Sequence, residues 1–310
     1  MTSRLLAVAL LAISSASAEP FAYVSNEGSG TVSVIDTASA KITITIATGA
    51  KPRGIAVALD GTRVFVSEQA GNALVAYDAG GKAAGRVEVG KSPEAVYLSA
   101  DGRWLAVAVE DDDRVAIVDA ASLALVKKIA TRGRNPEHAV WSPDGRWIYV
   151  SGENTDAVDV VDVAKGEVVK QLVVGDRPRG IGFLPDGSRA YVAAENADRV
   201  AVIDVARQEV IASLPASSRS NGITVHPDGK HVFVSSGGKG SVQVLDVATN
   251  KFVAEVEVGK RPWNMAITPD GSRLYVACGR SNAVAVVDAR AFTKVGEVAV
   301  GSLPWGVAIR

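Results

Sequence analysis

One row of residues in this chain has the side-chain chemistry of a binding site. After a recurrent loop proline come Arg53, Glu94, Glu137, Arg179, Asn221, Trp263 and Trp305, with Ser220 replacing the proline before Asn221. The next position is small in five copies (Gly54, Ala95, Gly180, Gly222, Gly306) and is His138 or Asn264 in the other two. Two indoles can stack a planar or sugar-like body while charged groups fix its polar atoms, a combination common in small-molecule sites. The same residues also admit a ligand-free arrangement. In that case Arg53 pairs with Glu94, Arg179 pairs with Glu137, and the tryptophans plug a channel. At a wet rim such pairs contribute ~0–1 kcal/mol each.

A metal centre is a third use of these groups. His138 beside Glu94 and Glu137, with Glu27, Glu110, Glu153 and Glu195 from adjacent loops, offers ligands for a divalent cation. Transition-metal sites usually gather several His or Cys side chains, and the chain has only three His and one Cys. No metal is therefore expected. His226 and His231 flank a turn on the far face and cannot join His138. The run Glu110-Asp-Asp-Asp113 lacks the D-x-D-x-D-G spacing of a calcium loop. Cys278 is expected to be a small packed residue. No G-x-S-x-G, P-loop, H-E-x-x-H or C-x-x-C-H motif is present, so no catalytic residue is assigned.

A repeat must position these residues. Asp-Gly recurs at Asp60, Asp101, Asp144, Asp186, Asp228 and Asp270. A second ladder, Asp36, Asp78, Asp119, Asp162, Asp204, Asp246 and Asp288, ends runs such as Thr31-Val-Ser-Val-Ile-Asp36. The period is about 42 residues, the signature of a solenoid, propeller or array. Each copy holds four short β-type runs, in the last full copy Trp263–Thr268, Leu274–Cys278, Ala283–Val287 and Val295–Val300. No helical period is sustained. The expected fold is all-β: a seven-bladed β-propeller of four-stranded antiparallel blades. The chain opens on a second strand and stops after a lone first strand, Pro304–Ile309. Pairing them closes the ring and protects both edges. The ladder aspartates are expected to accept backbone N–H bonds from the following turns.

The first eighteen residues have a different character. Arg4, the apolar run Leu5–Ile13 and Ala16-Ser17-Ala18 form a secretory signal layout, with cleavage expected after Ala18. Residues 19–310 are then one propeller domain, exported to the periplasm or secreted. Of the 310 residues, 33 are Lys or Arg and 34 Asp or Glu, for a formal charge of −1. That balance disfavours nucleic acid, whose phosphates demand a basic excess. The single cysteine rules out an intrachain disulfide. No later stretch is long and apolar enough to cross a bilayer. A monomer is expected.

The repeat resembles the YVTN class of seven-bladed propellers. The residues that carry the likeness include Ala22-Tyr-Val-Ser-Asn26, Ile148-Tyr-Val-Ser151, Leu274-Tyr-Val-Ala277 and Val258-Gly-Lys-Arg-Pro262. More narrowly it is similar to periplasmic propellers associated with PQQ-dependent alcohol catabolism, through Lys51-Pro-Arg-Gly-Ile55, Arg177-Pro-Arg-Gly180, Arg261-Pro-Trp-Asn-Met265 and Leu303-Pro-Trp-Gly-Val307. The resemblance implies an exported, non-catalytic accessory that binds a small molecule or docks to an exported dehydrogenase or cytochrome. Any link to PQQ is implied by that resemblance alone, and no cofactor is evident in the residues. Two alternatives remain. One is a propeller enzyme using the channel-mouth face, either a lactonase-like hydrolase or a protein that handles a non-covalent tetrapyrrole or a metal, with His138 as base or axial ligand. The other is a purely structural interaction platform.

Overall fold

The computed structural model describes residues 20–310, so the expected signal peptide lies outside the described residues. Seven antiparallel sheets of four strands each form a ring of blades. Blade 1 is composite: Pro304–Ile309 pairs with Phe21–Asn26, followed by Thr31–Asp36 and Lys41–Ala47. Blades 2 to 7 follow in chain order, with inner strands Pro52–Val57, Pro93–Leu98, Pro136–Trp141, Pro178–Phe183, Ser220–Val225 and Pro262–Ile267. The expected architecture and closure are both present. In blade 7 the strands are Pro262–Ile267, Arg273–Cys278, Ala283–Asp288 and Thr293–Ala299, within two residues of the expected limits. The described residues contain two short 3-10 turns, Gln69–Gly71 and Glu110–Asp112, and no helix able to cross a membrane.

Burial explains why the middle strands are rich in Val and Ala. Second and third strands are covered on both faces by neighbouring blades, so apolar residues run consecutively. Between blades 2 and 3, Phe65, Leu74, Leu105 and Val107 form one buried cluster. Each such side chain contributes about 1.5–3 kcal/mol relative to exposure. Outer strands are largely exposed instead, as in Thr293–Ala299, where Val298 is the one buried residue.

Turn chemistry holds the far face. In each Asp-Gly turn the glycine has a left-handed φ of about 70°, and the Asp carboxylate accepts the N–H two residues on, as Asp60 does from Thr62 at 2.9 Å. Asp36 accepts from Ala38 and Ser39 at 2.8 and 3.0 Å, and every other ladder aspartate accepts a comparable turn bond. The ladder is structural, as expected. The described face also holds a cleft of about 1080 Å³ where blade 1 has chain ends in place of an Asp-Gly turn.

Candidate functional site

The variable row lands at one end of the channel because a β-bulge recurs in the inner strands. Pro52 faces Glu68 and Ile55 faces Val66, so Arg53 and Gly54 together oppose the single residue Ser67. Equivalent register shifts occur in every inner strand. The extra residue bends the strand and re-aims its side chain. The Ser67 hydroxyl accepts the Gly54 N–H at 2.7 Å and donates to Glu94 O of the next blade at 2.5 Å. Ser235 repeats the pattern with Gly222 and Trp263 O, and Ser25 does so with Gly306 and Arg53 O. A Cβ on Gly54 would stand 2.5 Å from Glu94 O, which explains the small residue after the row.

A second row is locked to the first by backbone bonds. Residues 51, 92, 135, 177, 219, 261 and 303 all adopt left-handed φ near 50–58°. Their carbonyls accept the N–H of Gln69, Glu110, Glu153, Glu195, Gly237, Gly279 and Glu27 respectively. Five of these seven residues bear a carboxylate or amide, and they ring the mouth around the first row.

The charged groups join in one network. Arg53 bonds Glu94 at 2.6 Å and Glu27 at 3.3 Å, and Gln69 donates to Glu94 at 2.5 Å. Arg179 meets Glu137 at 2.5 Å, Glu153 at 2.8 Å and Glu195 at 2.9 Å. Arg177 contacts Glu153 and Glu195, while Arg261 reaches Glu195 at 2.6 Å. The pairing expected from sequence is present, but its setting differs. Glu94 is 0% and Glu137 2% exposed, so these are buried pairs rather than rim pairs. Removing one partner of a buried pair typically costs about 3–5 kcal/mol, because the other charge is stranded.

Burial and neighbours divide the carboxylates. Burial pushes Glu137 up, but Arg179 and Arg53 override it and hold the carboxyl at about 2. Burial and the Glu137 charge raise Glu153 to about 7 and drive Glu94 well above the usual carboxylate range. Carboxylate oxygens of Glu94, Glu110 and Glu137 lie within 4.8 Å of one another, the one metal-competent grouping among the described residues. His138 is not in it.

His138 and Trp305 occupy the channel. The His138 ring, 1% exposed, shares a 2.6 Å bond between its Nδ1 and the Tyr97 hydroxyl. Burial lowers its pKa to about 4, so the imidazole is neutral, and the direction of this bond follows its tautomer. Trp305, 5% exposed, stacks on it with centroids 5.9 Å apart and lies 5.6 Å from the Arg53 guanidinium. Since Trp305 belongs to blade 1 and His138 to blade 4, the indole spans the channel. Trp263 is half-buried and packs beside Gly279, where a Cβ would stand 2.4 Å from its ring. The indoles therefore divide into one plug and one partly open ring. Asn221 is buried, and Asn264 keeps a buried amide nitrogen without a partner.

On the far face, His226 Nδ1 lies 2.7 Å from Asp228 Oδ1 and its Nε2 lies 3.0 Å from Gly271 O. The Cys278 thiol is buried, and burial pushes it up to about 11. Sequence reasoning missed Tyr97, Gln69, Arg177 and Arg261. A signal existed for Tyr97: its counterparts in the repeat are Ala56, Val140, Gly182, Thr224, Ala266 and Ala308.

Comparison with known proteins agrees with this geometry. A family model described as a YNCE-like beta-propeller matches residues 76–268. No curated protein matches the chain. Among solved structures, Kuenenia stuttgartiensis hydrazine synthase is similar at 24% identity and TM-score 0.79, over 86% of this chain and 91% of that one. Dihydro-heme d1 dehydrogenase NirN in complex with DHE is similar at 16% identity and TM-score 0.71, over 97% and 77%. A candidate 6-phosphogluconolactonase from Bacteroides uniformis aligns at 19% identity and TM-score 0.80, over 94% and 100%. At these identities the likeness is one of fold, which hosts unrelated functions.

Proposed function

The chain belongs to the YNCE-like β-propeller family, and from that premise we propose that it is an exported, non-catalytic accessory whose channel-mouth face binds a small molecule or docks an exported dehydrogenase or cytochrome, in the setting of PQQ-dependent alcohol oxidation. The observation that carries this reading is the asymmetry of the mouth. Seven blades share the same bulge and the same left-handed turn, yet the side chains displayed there differ from blade to blade. A purely structural row would repeat its chemistry as the ladder aspartates do. The partly open Trp263, the buried amide of Asn264 and the ionised Glu137 supply stacking, hydrogen-bonding and charge for recognition. A tetrapyrrole ligated by His138 does not fit this arrangement, because Trp305 covers the ring and Tyr97 holds its Nδ1.

Native mass spectrometry of the protein isolated from a periplasmic fraction tests the reading. A mature chain beginning at Glu19 and carrying a small molecule, dehydrogenase or cytochrome is expected, with the cargo lost in Trp263→Ala. A bare chain under gentle ionisation, or cargo indifferent to Trp263→Ala, would overturn it. Trp305→Ala is the poorer probe, since that indole plugs the channel and its loss costs about 3–5 kcal/mol of stability.

A further inference from the structure

A cleft of about 780 Å³ opens between blades 6 and 7 on the mouth face. Its charged lining is Lys239, Lys260, Arg261, Arg280 and Lys294 against one carboxylate, Glu257. In a chain whose cations and anions otherwise balance, this is a local excess. Three of the five cations are partly compensated: Lys239 by Glu255, Lys294 by Glu297 and Arg261 by Glu195. Lys260 and Arg280 are exposed and have no ion-pair partner among the described residues.

The cleft exists because the second row changes chemistry here. That row reads Glu27, Gln69, Glu110, Glu153 and Glu195, then Gly237 and Gly279. Bulk and negative charge are both deleted in the two blades where the cations gather. Neither glycine is idle: a Cβ on Gly237 would stand 2.8 Å from Arg261 Nη1, and one on Gly279 would strike the Trp263 ring. Glycine thus leaves room for the Arg261 side chain on the cleft wall and for the Trp263 ring against Gly279. Ser281 Oγ accepts the Lys260 N–H at 2.8 Å, which leaves its hydroxyl proton for an incoming oxygen.

We propose that this cleft binds a small polyanion carrying at least two phosphate or carboxylate groups. The planar guanidinium of Arg280 suits bidentate capture of one oxyanion, and Lys260 with Lys239 supplies point charges for the second. The site goes beyond the reading of the channel mouth, since it lies outside the buried network and meets it only through Arg261.

Calorimetric titration at low ionic strength tests this, using inorganic pyrophosphate and citrate as separate probes and orthophosphate as the single-anion control. At least one of the two polyanions should bind saturably with 1:1 stoichiometry and more tightly than orthophosphate; which one does so distinguishes phosphate from carboxylate. Lys260→Gln with Arg280→Gln should weaken it at least tenfold without moving the melting temperature. A matched variant on the opposite face, Lys41→Gln with Lys251→Gln, should leave it unchanged. No saturation by millimolar probe, equal binding by the cleft variant, or equal loss in the matched variant would overturn the proposal.

Discussion

Arg179 touches three carboxylates where solvent is nearly excluded, so its neighbours compete for one charge. At close range the network sets Glu27, Glu94, Glu110, Glu137, Glu153 and Glu195 against Arg53, Arg177, Arg179 and Arg261, with Arg219 at 3.9 Å. The acids outnumber the bases, and burial combined with like charge raises the carboxyls of Glu94 and Glu153. A carboxyl raised in the fold binds its proton more tightly there than in the unfolded chain, where Glu titrates near about 4.3. Its contribution therefore falls as pH rises from that value through about 7. Urea midpoints measured from pH 5 to 8 should decline for the native chain and be flatter for Glu153→Gln. Parallel profiles would show that Glu153 is ionised throughout.

At the scale of the strand, the bulge decides which side chains reach the channel, and the serine hydroxyl holds it shut. Ser67 is fully buried and serves two partners, one in its own blade and one in the next. Ser67→Ala strands a buried N–H and a buried carbonyl while removing little volume. The expected loss is about 1–3 kcal/mol in chemical denaturation, larger than a single exposed hydrogen bond provides. A loss below about 0.5 kcal/mol would mean that water replaces the hydroxyl. Alanine already takes the equivalent place at Ala108, Ala193 and Ala277. The serine link is thus a property of particular blades, among them those presenting Arg53, Asn221 and Trp305.

At the scale of the whole ring, closure and site are one event. Ala22 faces Ile309 and Val24 faces Val307, and the ends are tied by Phe21 N–H to Arg310 O at 2.8 Å and Glu27 N–H to Leu303 O at 2.9 Å. The strand that seals blade 1 also carries Trp305 across to His138. Deleting residues 304–310 exposes the inner edge of Phe21–Asn26 and unplugs the channel. Unpaired edges recruit other chains, so size-exclusion chromatography should show the peak of the intact chain replaced by larger species with a broadened melt. A truncated chain that elutes and melts like the intact one would contradict this account of closure.

The features legible in the amino-acid order are those made by neighbours in the chain. The blade count, the Asp-Gly turns, the aspartate ladder and the composite blade follow from short-range turn chemistry repeated at a fixed period, and the order of the row around the mouth follows from the same period. The pairing of Arg53 with Glu94 and of Arg179 with Glu137 was also visible, because adjacent blades bring those rows side by side. The depth of burial, the contact of Trp305 with His138 and the separation of the two indoles were not. They depend on the width of a seven-membered ring and on where a bulge aims each side chain, and neither quantity is local. The glycines at 237 and 279 stood in the sequence as an interruption of an acidic row. Only the packed loops made that interruption a cationic cleft, because charge and empty space acquire a common location when blades 6 and 7 meet.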